Sequence, residues 1–417
     1  MGLKKNRWLF IISGFIINLC LGAIYAYSII AVHLMKLFKN VYGLNVTATE
    51  IQLPFIVFLL VFALTMPMMG KYIEKYGPRK ITWLGAIFVS LGWFLVSLAS
   101  SSLSLVFLYG LIGGLGVGIV YNCPIVTSGK WFPDKRGLAV GLTILGFGFS
   151  AAIIGPLIDY LTAIFGIQIA LKILGALFFT ILFIFGSFLR FPSNDWKPKG
   201  LEFIEKKEKS SIEFTREEMV KTKSFYGLWI TYMIGTLAGL MAIGISKLIG
   251  LEVAANAGIN EEEISAFLTI LIIPFSACNG FGRPLFGWIT DKFTPMKAAI
   301  LSFVLIFIAS LIVFINPSSI IVYIIGFAIL WLNLGGWLAI APTATAYFFG
   351  MKDYARNYGI VFTAYGIGAI IGNILAGQAK DVFGAYVKVF PYIMALSILG
   401  IIIAIVLMKC PKVKNMN

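Results

Sequence analysis

The sequence predicts an all-α membrane protein whose twelve transmembrane helices form two six-helix halves, with both termini cytoplasmic. Three observations predict it. Of the 417 residues, 59% are hydrophobic and only 12% charged, and mean hydropathy is +0.94, a balance found in neither soluble nor disordered chains. Apolar runs of about 20 residues, enough to cross a hydrocarbon core roughly 30 Å thick, recur along the whole length. Basic residues gather in alternate connecting segments.

In order, the apolar runs fall near residues 8–31, 51–72, 81–99, 104–128, 138–160, 168–189, 224–248, 264–289, 298–315, 319–345, 358–380 and 387–408. They are helices, because backbone groups in lipid must be satisfied within the segment and the alternating pattern of a membrane barrel is absent. The first run follows Lys4, Lys5 and Arg7 but is too long for a signal peptide and lacks a small-residue cleavage pattern, so it is the first span.

Most of the 33 Lys and Arg residues fall on one side once the N-terminus is placed inside. That side collects Arg7, Lys71, Lys75, Arg79, Lys80, Lys130, Lys135, Arg136, the basic residues from Arg190 to Lys223, Lys292, Lys297, Lys352, Arg356 and Lys409. The other holds Lys36, Lys39, Lys247, Lys380 and Lys388. This asymmetry predicts cytoplasmic termini in the cell membrane. The formal charge of +15 then reflects topology and attraction to anionic membrane lipids, with no nucleic-acid surface implied. The four cysteines Cys20, Cys123, Cys278 and Cys410 have neither disulfide nor metal-ligand spacing, and no cofactor is expected. His33, at the outer end of span 1, is expected to be a solvated loop residue, with pH sensing as the alternative.

An internal repeat divides the chain. Gly70-Lys71-Tyr72-Ile73-Glu74-Lys75-Tyr76-Gly77-Pro78-Arg79-Lys80 returns as Gly287-Trp288-Ile289-Thr290-Asp291-Lys292-Phe293-Thr294-Pro295-Met296-Lys297, and Gly155 pairs with Gly372. Parallel halves, 1–190 and 224–417, joined by a Lys-, Glu-, Ser- and Pro-containing tether at 191–223, point to a transporter with substrate held between them. Glu74 and Asp291, each four residues after a glycine (Gly70 and Gly287), are candidate gate residues. An acid facing Lys75, Arg79 and Lys80 near helix ends can latch the inner side; a solvated charge run is the plainer alternative. Gly113, Gly114, Gly116 and Gly118 are read as packing positions.

Arg283 lies inside the apolar stretch Ile264–Ile289 with no acidic residue placed to neutralise it. A charge at such depth costs at least a few kcal/mol and normally faces a cavity. Met66 occupies the equivalent repeat position, so Arg283 serves one half only. The planar guanidinium fork suits a carboxylate, which makes a small organic anion the expected partner. The scaffold alternative is an arginine satisfied by backbone carbonyls loosened around Gly280, Gly282 and Pro284.

The Gly-x-x-x-Glu-Lys-x-Gly-x-Arg-Lys segment resembles the loop motif of the major facilitator superfamily. Further segments narrow the likeness: Asn18 to Ser28, Tyr121 to Pro124, Lys130 to Ala139, and Asn279-Gly280-Phe281-Gly282-Arg283. These resemble the oxalate/formate antiporter group and the related lactate and pyruvate (monocarboxylate) transporters, over essentially the whole chain. The resemblance implies that Arg283 binds the substrate carboxylate. In that group a span 11 lysine supplies a second cation, whereas this chain has Phe362-Thr363-Ala364-Tyr365-Gly366 there. One fixed cation suits a monoanion such as lactate, pyruvate or formate better than oxalate. The lactate transporters carry an aspartate one turn before the arginine, where Asn279 stands here. Proton symport is thereby weakened against anion exchange, and both stay open.

Tyr25, Tyr27, Tyr121, Asn122, Asn279, Asn333, Trp337 and Tyr365 are candidate substrate contacts, from mid-span placement and from the resemblance, with ordinary helix packing as the alternative for each. Lys380 and Tyr386 are candidate outer-gate residues. The expected protein is a monomeric secondary carrier working by alternating access, taking a small organic anion and protons or an exchanged anion. Oxalate/formate exchange, multidrug export and sensing of external acids are the other readings. No phosphate loop, metal-ligand spacing or nucleophile with a placed base suggests an enzyme.

Overall fold

The computed structural model describes residues 7–133, 136–193, 213–350 and 353–411, apart from the side chains of Arg136, Gly137 and Ala355. Twelve helices among these residues are long and apolar enough to span a membrane. They are α1 (Trp8–Tyr42), α2 (Ala48–Tyr76), α3 (Pro78–Val96), α4 (Ser102–Trp131), α5 (Leu138–Phe165), α6 (Ile167–Phe188), α7 (Lys223–Asn256), α8 (Glu261–Lys292), α9 (Pro295–Ile315), α10 (Ile320–Phe349), α11 (Arg356–Phe383) and α12 (Tyr386–Leu407). An even number of crossings leaves both ends on one face, called here the linker face, with the distal face opposite.

Several helices outrun their apolar cores, because hydropathy marks the lipid-crossing part of a helix and not its hydrated ends. His33 is accordingly on α1 and half-buried, not in a solvated loop. The repeated motif forms two tight turns. Gly77, at φ 85°, ends α2 and lets Pro78 start α3, while Thr294 caps α9 by accepting the Lys297 N–H before Pro295. Thr47 and Glu50 form a capping box at the start of α2.

Two spans depart from regular α geometry. A 3₁₀ segment, Gly22–Ala26, interrupts α1 beside Tyr25 and Tyr27, and α4 contains a π-helical stretch at Val106–Leu111. Such irregularities free or re-aim backbone groups and often accompany functional sites.

Glycines set the closest helix crossings. A Cβ at Gly114 would lie 2.6 Å from the Phe58 carbonyl oxygen and one at Gly116 2.4 Å from the Val89 nitrogen, so the α4 glycines pack against α2 and α3. At the α8–α10 crossing, a Cβ at Gly335 would sit 1.9 Å from the Asn279 carbonyl oxygen. The halves meet mainly through α2 against α11, α5 against α8, and the distal part of α1 against α7. Large apolar residues such as Phe183, Ile398, Ile402 and Ile405 are exposed on the outside, as a lipid-facing belt requires.

The expected tether lies partly outside the described residues, but its last stretch is docked. The Phe214 N–H donates to the Phe349 carbonyl at 3.0 Å, Asn357 donates to the Phe214 carbonyl at 3.0 Å, and a one-turn helix, Arg216–Met219, follows.

Gly335→Val is expected to push α8 from α10 and to destabilise the fold by about 3 kcal/mol. Gly70→Ala, inside α2 at a position where a Cβ meets nothing within 4 Å, should not destabilise and should add up to about 1 kcal/mol through helix propensity. Thermal unfolding of the purified proteins in detergent checks the contrast.

Candidate functional site

Arg283 projects from α8 into the seam between the halves and is 5% exposed. Its Nη1 donates to the Ile144 carbonyl of α5 at 2.5 Å, and its Nη2 to Oδ1 of Asn279, one turn earlier, at 3.3 Å. The buried Nε–H has no partner, and no described salt bridge includes this guanidinium. The carbonyl that holds it thus belongs to the opposite half and not to the loosened backbone of α8. Asn279 in turn donates to the Trp331 carbonyl of α10 at 3.2 Å, fixing the amide that steadies the arginine. Ser276, one turn further, donates to the Gly148 carbonyl at 2.6 Å and accepts the Ala152 N–H at 3.3 Å. Glycine at 148 is what permits this approach, since a Cβ there would be 3.0 Å from Oδ1 of Asn279 and 3.3 Å from Nη2 of Arg283.

An aromatic wall stands beside it. Tyr25, Tyr121, Tyr358 and Tyr365 all lie within electrostatic reach of the guanidinium. The hydroxyls of Tyr25 and Tyr365 share a hydrogen bond of 3.0 Å across the seam. Phe362 is the hub, with its ring centroid 5.1 Å from Tyr365, 5.7 Å from Phe62, 5.9 Å from Tyr358 and 6.5 Å from Tyr121 and Tyr232. Sequence reasoning did not single out Phe362, Tyr358 or Tyr232. The signal for the first two was the spacing of Tyr358, Phe362 and Tyr365, which puts all three on one face of α11.

Other candidate contacts go elsewhere. Tyr27 is stacked between Phe55 and Tyr109, and its hydroxyl donates to the Ile51 carbonyl, all within the first half. Asn122 donates to the Met66 carbonyl at 3.3 Å, bracing α4 on α2. Asn333 donates to its own helix at Ile329, 2.8 Å away, leaving a buried Oδ1 without a partner. Trp337 is enclosed by Tyr232 and Phe303 in the second half, with its Nε1–H unpartnered.

The gate candidates pair within halves. Glu74 accepts from Lys130 at 2.7 Å, tying α2 to α4, while Arg79 lies 4.4 Å over the Trp83 ring and not on Glu74. Asp291 is exposed and has no described ion pair, and nothing surrounds Gly70. Lys380 is neutralised by Glu252 at 2.7 Å, and the same carboxylate accepts the Tyr386 N–H at 3.0 Å.

Family comparison agrees with this architecture: the Major Facilitator Superfamily model matches residues 8–254 and 231–417. The chain belongs to the major facilitator superfamily. It is therefore a multi-pass membrane transporter and not an enzyme. Among curated members of the superfamily it is 28% identical to an oxalate:formate antiporter of Oxalobacter formigenes, over 92% of this chain and 87% of that one. It is 23% identical to human monocarboxylate transporter 14, over 96% and 90%. A solved superfamily structure, a bacterial homologue of the human lysosomal transporter Spinster in an inward-facing, unoccupied conformation, superposes with a TM-score of 0.70 at 17% identity, covering 96% of each chain.

Among the described residues, the ion pairs between the halves are distal. They are Lys36–Glu261 (2.6 Å) and Lys247–Asp159 (2.9 Å). The Asp381 carboxylate of α11 accepts the Ala48 and Thr49 N–H groups at the start of α2, both at 2.8 Å. Asp159 also accepts from Thr269 and contacts Nε2 of His33 at 2.5 Å. Residues of α1, α5, α7 and α8 assemble this cluster, and their separation along the chain left no local signal for it.

Removing one tyrosine hydroxyl of the Tyr25–Tyr365 pair leaves the other buried and unpaired, costing about 1–3 kcal/mol. Tyr25→Phe and Tyr365→Phe should each lower the unfolding temperature, whereas the double variant should recover most of the loss. Additive losses would show that the hydroxyls do not depend on each other.

Proposed function

We propose that this transporter carries small monocarboxylates of the lactate, pyruvate and formate type by alternating access, with Arg283 binding the substrate carboxylate. The observation that carries the reading is a buried guanidinium at the seam with an unpartnered Nε–H and no described acidic partner. A carboxylate approaching edge-on takes Nε–H and an Nη–H together, the bidentate geometry that the planar fork favours. Tyr25, Tyr121 and Tyr365 supply hydroxyls for the remaining oxygens, and Phe362 and Phe62 an apolar surface for a short carbon tail.

Charge sets the preference for a monoanion. Tyr365 brings no second cation, so half of a dianion would stay uncompensated in a dry site, at a cost of several kcal/mol. Oxalate/formate exchange is the second reading, supported by the likeness to the Oxalobacter formigenes antiporter. With the linker face taken as cytoplasmic, the distal ion pairs shut the outer entrance and Arg283 awaits substrate from within. A bare arginine resists occlusion, since breaking or omitting the partner of a buried charge costs roughly 3–5 kcal/mol. Bound anion removes that penalty and ties movement to occupancy. Asn279 leaves no carboxylate beside Arg283 to accept a proton, so exchange of anions needs no further group at this site.

A thermal-shift panel of lactate, pyruvate, formate, acetate and oxalate on the purified protein should show stabilisation by monocarboxylates, with oxalate weaker. Arg283→Ala should weaken binding at least about 30-fold while inserting normally, and Arg283→Lys should retain little uptake in vesicles. Full lactate uptake by Arg283→Ala, or no stabilisation by any carboxylate, would overturn the assignment.

A further inference from the structure

The tight turn at Gly77-Pro78 sends α2 and α3 apart, and α4 seats itself between them. A Cβ at Gly118 would lie 2.6 Å from the Cβ of Thr65 on α2, and one at Gly85 of α3 would collide with Val120. Ile119, between these two α4 contacts, faces the gap and floors a groove of about 540 Å³. That volume falls within the usual range of ligand sites, about 300–1,000 Å³. The walls are Met69, Tyr72 and Tyr76 on one face of α2 and Leu84 and Phe88 on α3, with Lys80 at the linker-face end. Leu84 continues the exposed apolar face of Ile87, Leu91 and Phe94, so the groove opens sideways, towards acyl chains and not towards water.

The linker-face end of the groove is basic. Lys71, Lys75, Arg79 and Lys80 surround the turn, and no described ion pair includes any of them. Glu74, the acid of the same motif, is taken by Lys130. Lys71 and Lys75 lie 4.9 and 5.1 Å over the rings of Tyr72 and Tyr76, which stack on each other, and Arg79 lies over Trp83. Lys80 has neither ring nor carboxylate described against its ammonium. From it the groove runs about 12 Å along α3 to Phe88, at 1.5 Å per residue. A cation at the water boundary above an apolar furrow matches a phosphate and an acyl chain of one molecule.

We propose that the groove between α2 and α3 binds an anionic phospholipid of the linker-face leaflet, with its phosphate on Lys80 and one acyl chain along Leu84 and Phe88 over Ile119. Lys71, Lys75 and Arg79 raise the local positive potential and select an acidic headgroup over a zwitterionic one. Tyr72 and Tyr76 stand at headgroup level, where amphipathic rings gather in membrane proteins. The site is separate from Arg283 and independent of what the transporter carries. On its other side α2 packs on α11, where a Cβ at Gly359 would be 3.0 Å from Pro67, so bound lipid props a helix of the seam from outside.

The test uses the full chain, purified and delipidated in neutral detergent, titrated with phosphatidylglycerol or with phosphatidylcholine of the same acyl chains. Native mass spectrometry counts retained lipid, and the unfolding temperature is followed in parallel. Phosphatidylglycerol should bind in preference and raise the unfolding temperature. Lys80→Gln should weaken its binding about fivefold. Leu84→Trp, which fills the groove from an exposed position and leaves every charge in place, should weaken it at least about tenfold. Lys297→Gln removes the exposed lysine at the equivalent repeat position of the second half and should leave binding unchanged. Equal retention of the two lipids would show an acyl chain held without headgroup recognition. Equal losses for Lys297→Gln and Lys80→Gln would show general attraction to a basic face. Either result overturns the proposal, as does wild-type affinity in Leu84→Trp.

Discussion

The structure is organised around one unneutralised charge, the Arg283 guanidinium held at the crossing of α5 and α8. In a low-dielectric interior such a group is tolerated only when its donors are largely occupied. Here the occupants are a backbone carbonyl of the other half and an amide one turn away, both neutral. The arginine is oriented without being neutralised. The surrounding features serve that state: Gly148 admits α8 to α5, Gly335 admits α10 to α8, and the Trp331 carbonyl fixes the Asn279 amide.

The seam shows a division of labour. At its distal end the halves are joined by charge and by a capped helix start. Around Arg283 they are joined by aromatic rings and by the Tyr25–Tyr365 hydrogen bond, which form an apolar wall with a few polar tips. The Glu74–Lys130 pair on the linker face contributes to neither junction here, as it links two helices of the same half.

Twelve spans, the repeat and the tight turns at Gly77-Pro78 and Thr294-Pro295 were legible in the sequence, because hydropathy, glycine and proline act locally. Arg283 was legible for the same reason: its depth and its lack of an acid in the same span are one-dimensional facts. Tyr25, Tyr121 and Tyr365 lie around Arg283, while Tyr27, Asn122 and Trp337 are taken up by packing within one half. Mid-span position alone does not say which side of a helix faces the seam. Phe362 at the centre of the wall, and the ends of α1 and α7 that carry His33 and Lys247, needed the fold.

By itself the sequence determined the membrane class, the pseudo-symmetric plan and the presence of an arginine deep in span 8 with no acid in that span, all properties of composition and spacing along one strand of chain. Only the tertiary structure decided that Ile144 of the opposite half receives this cation, and that Asp159, sequence-distant from Lys247, pairs with it across the halves. The physical reason is that hydrogen bonds and ion pairs between helices depend on rotation and crossing, which are set by which glycines let backbones approach and not by any pattern within a single span.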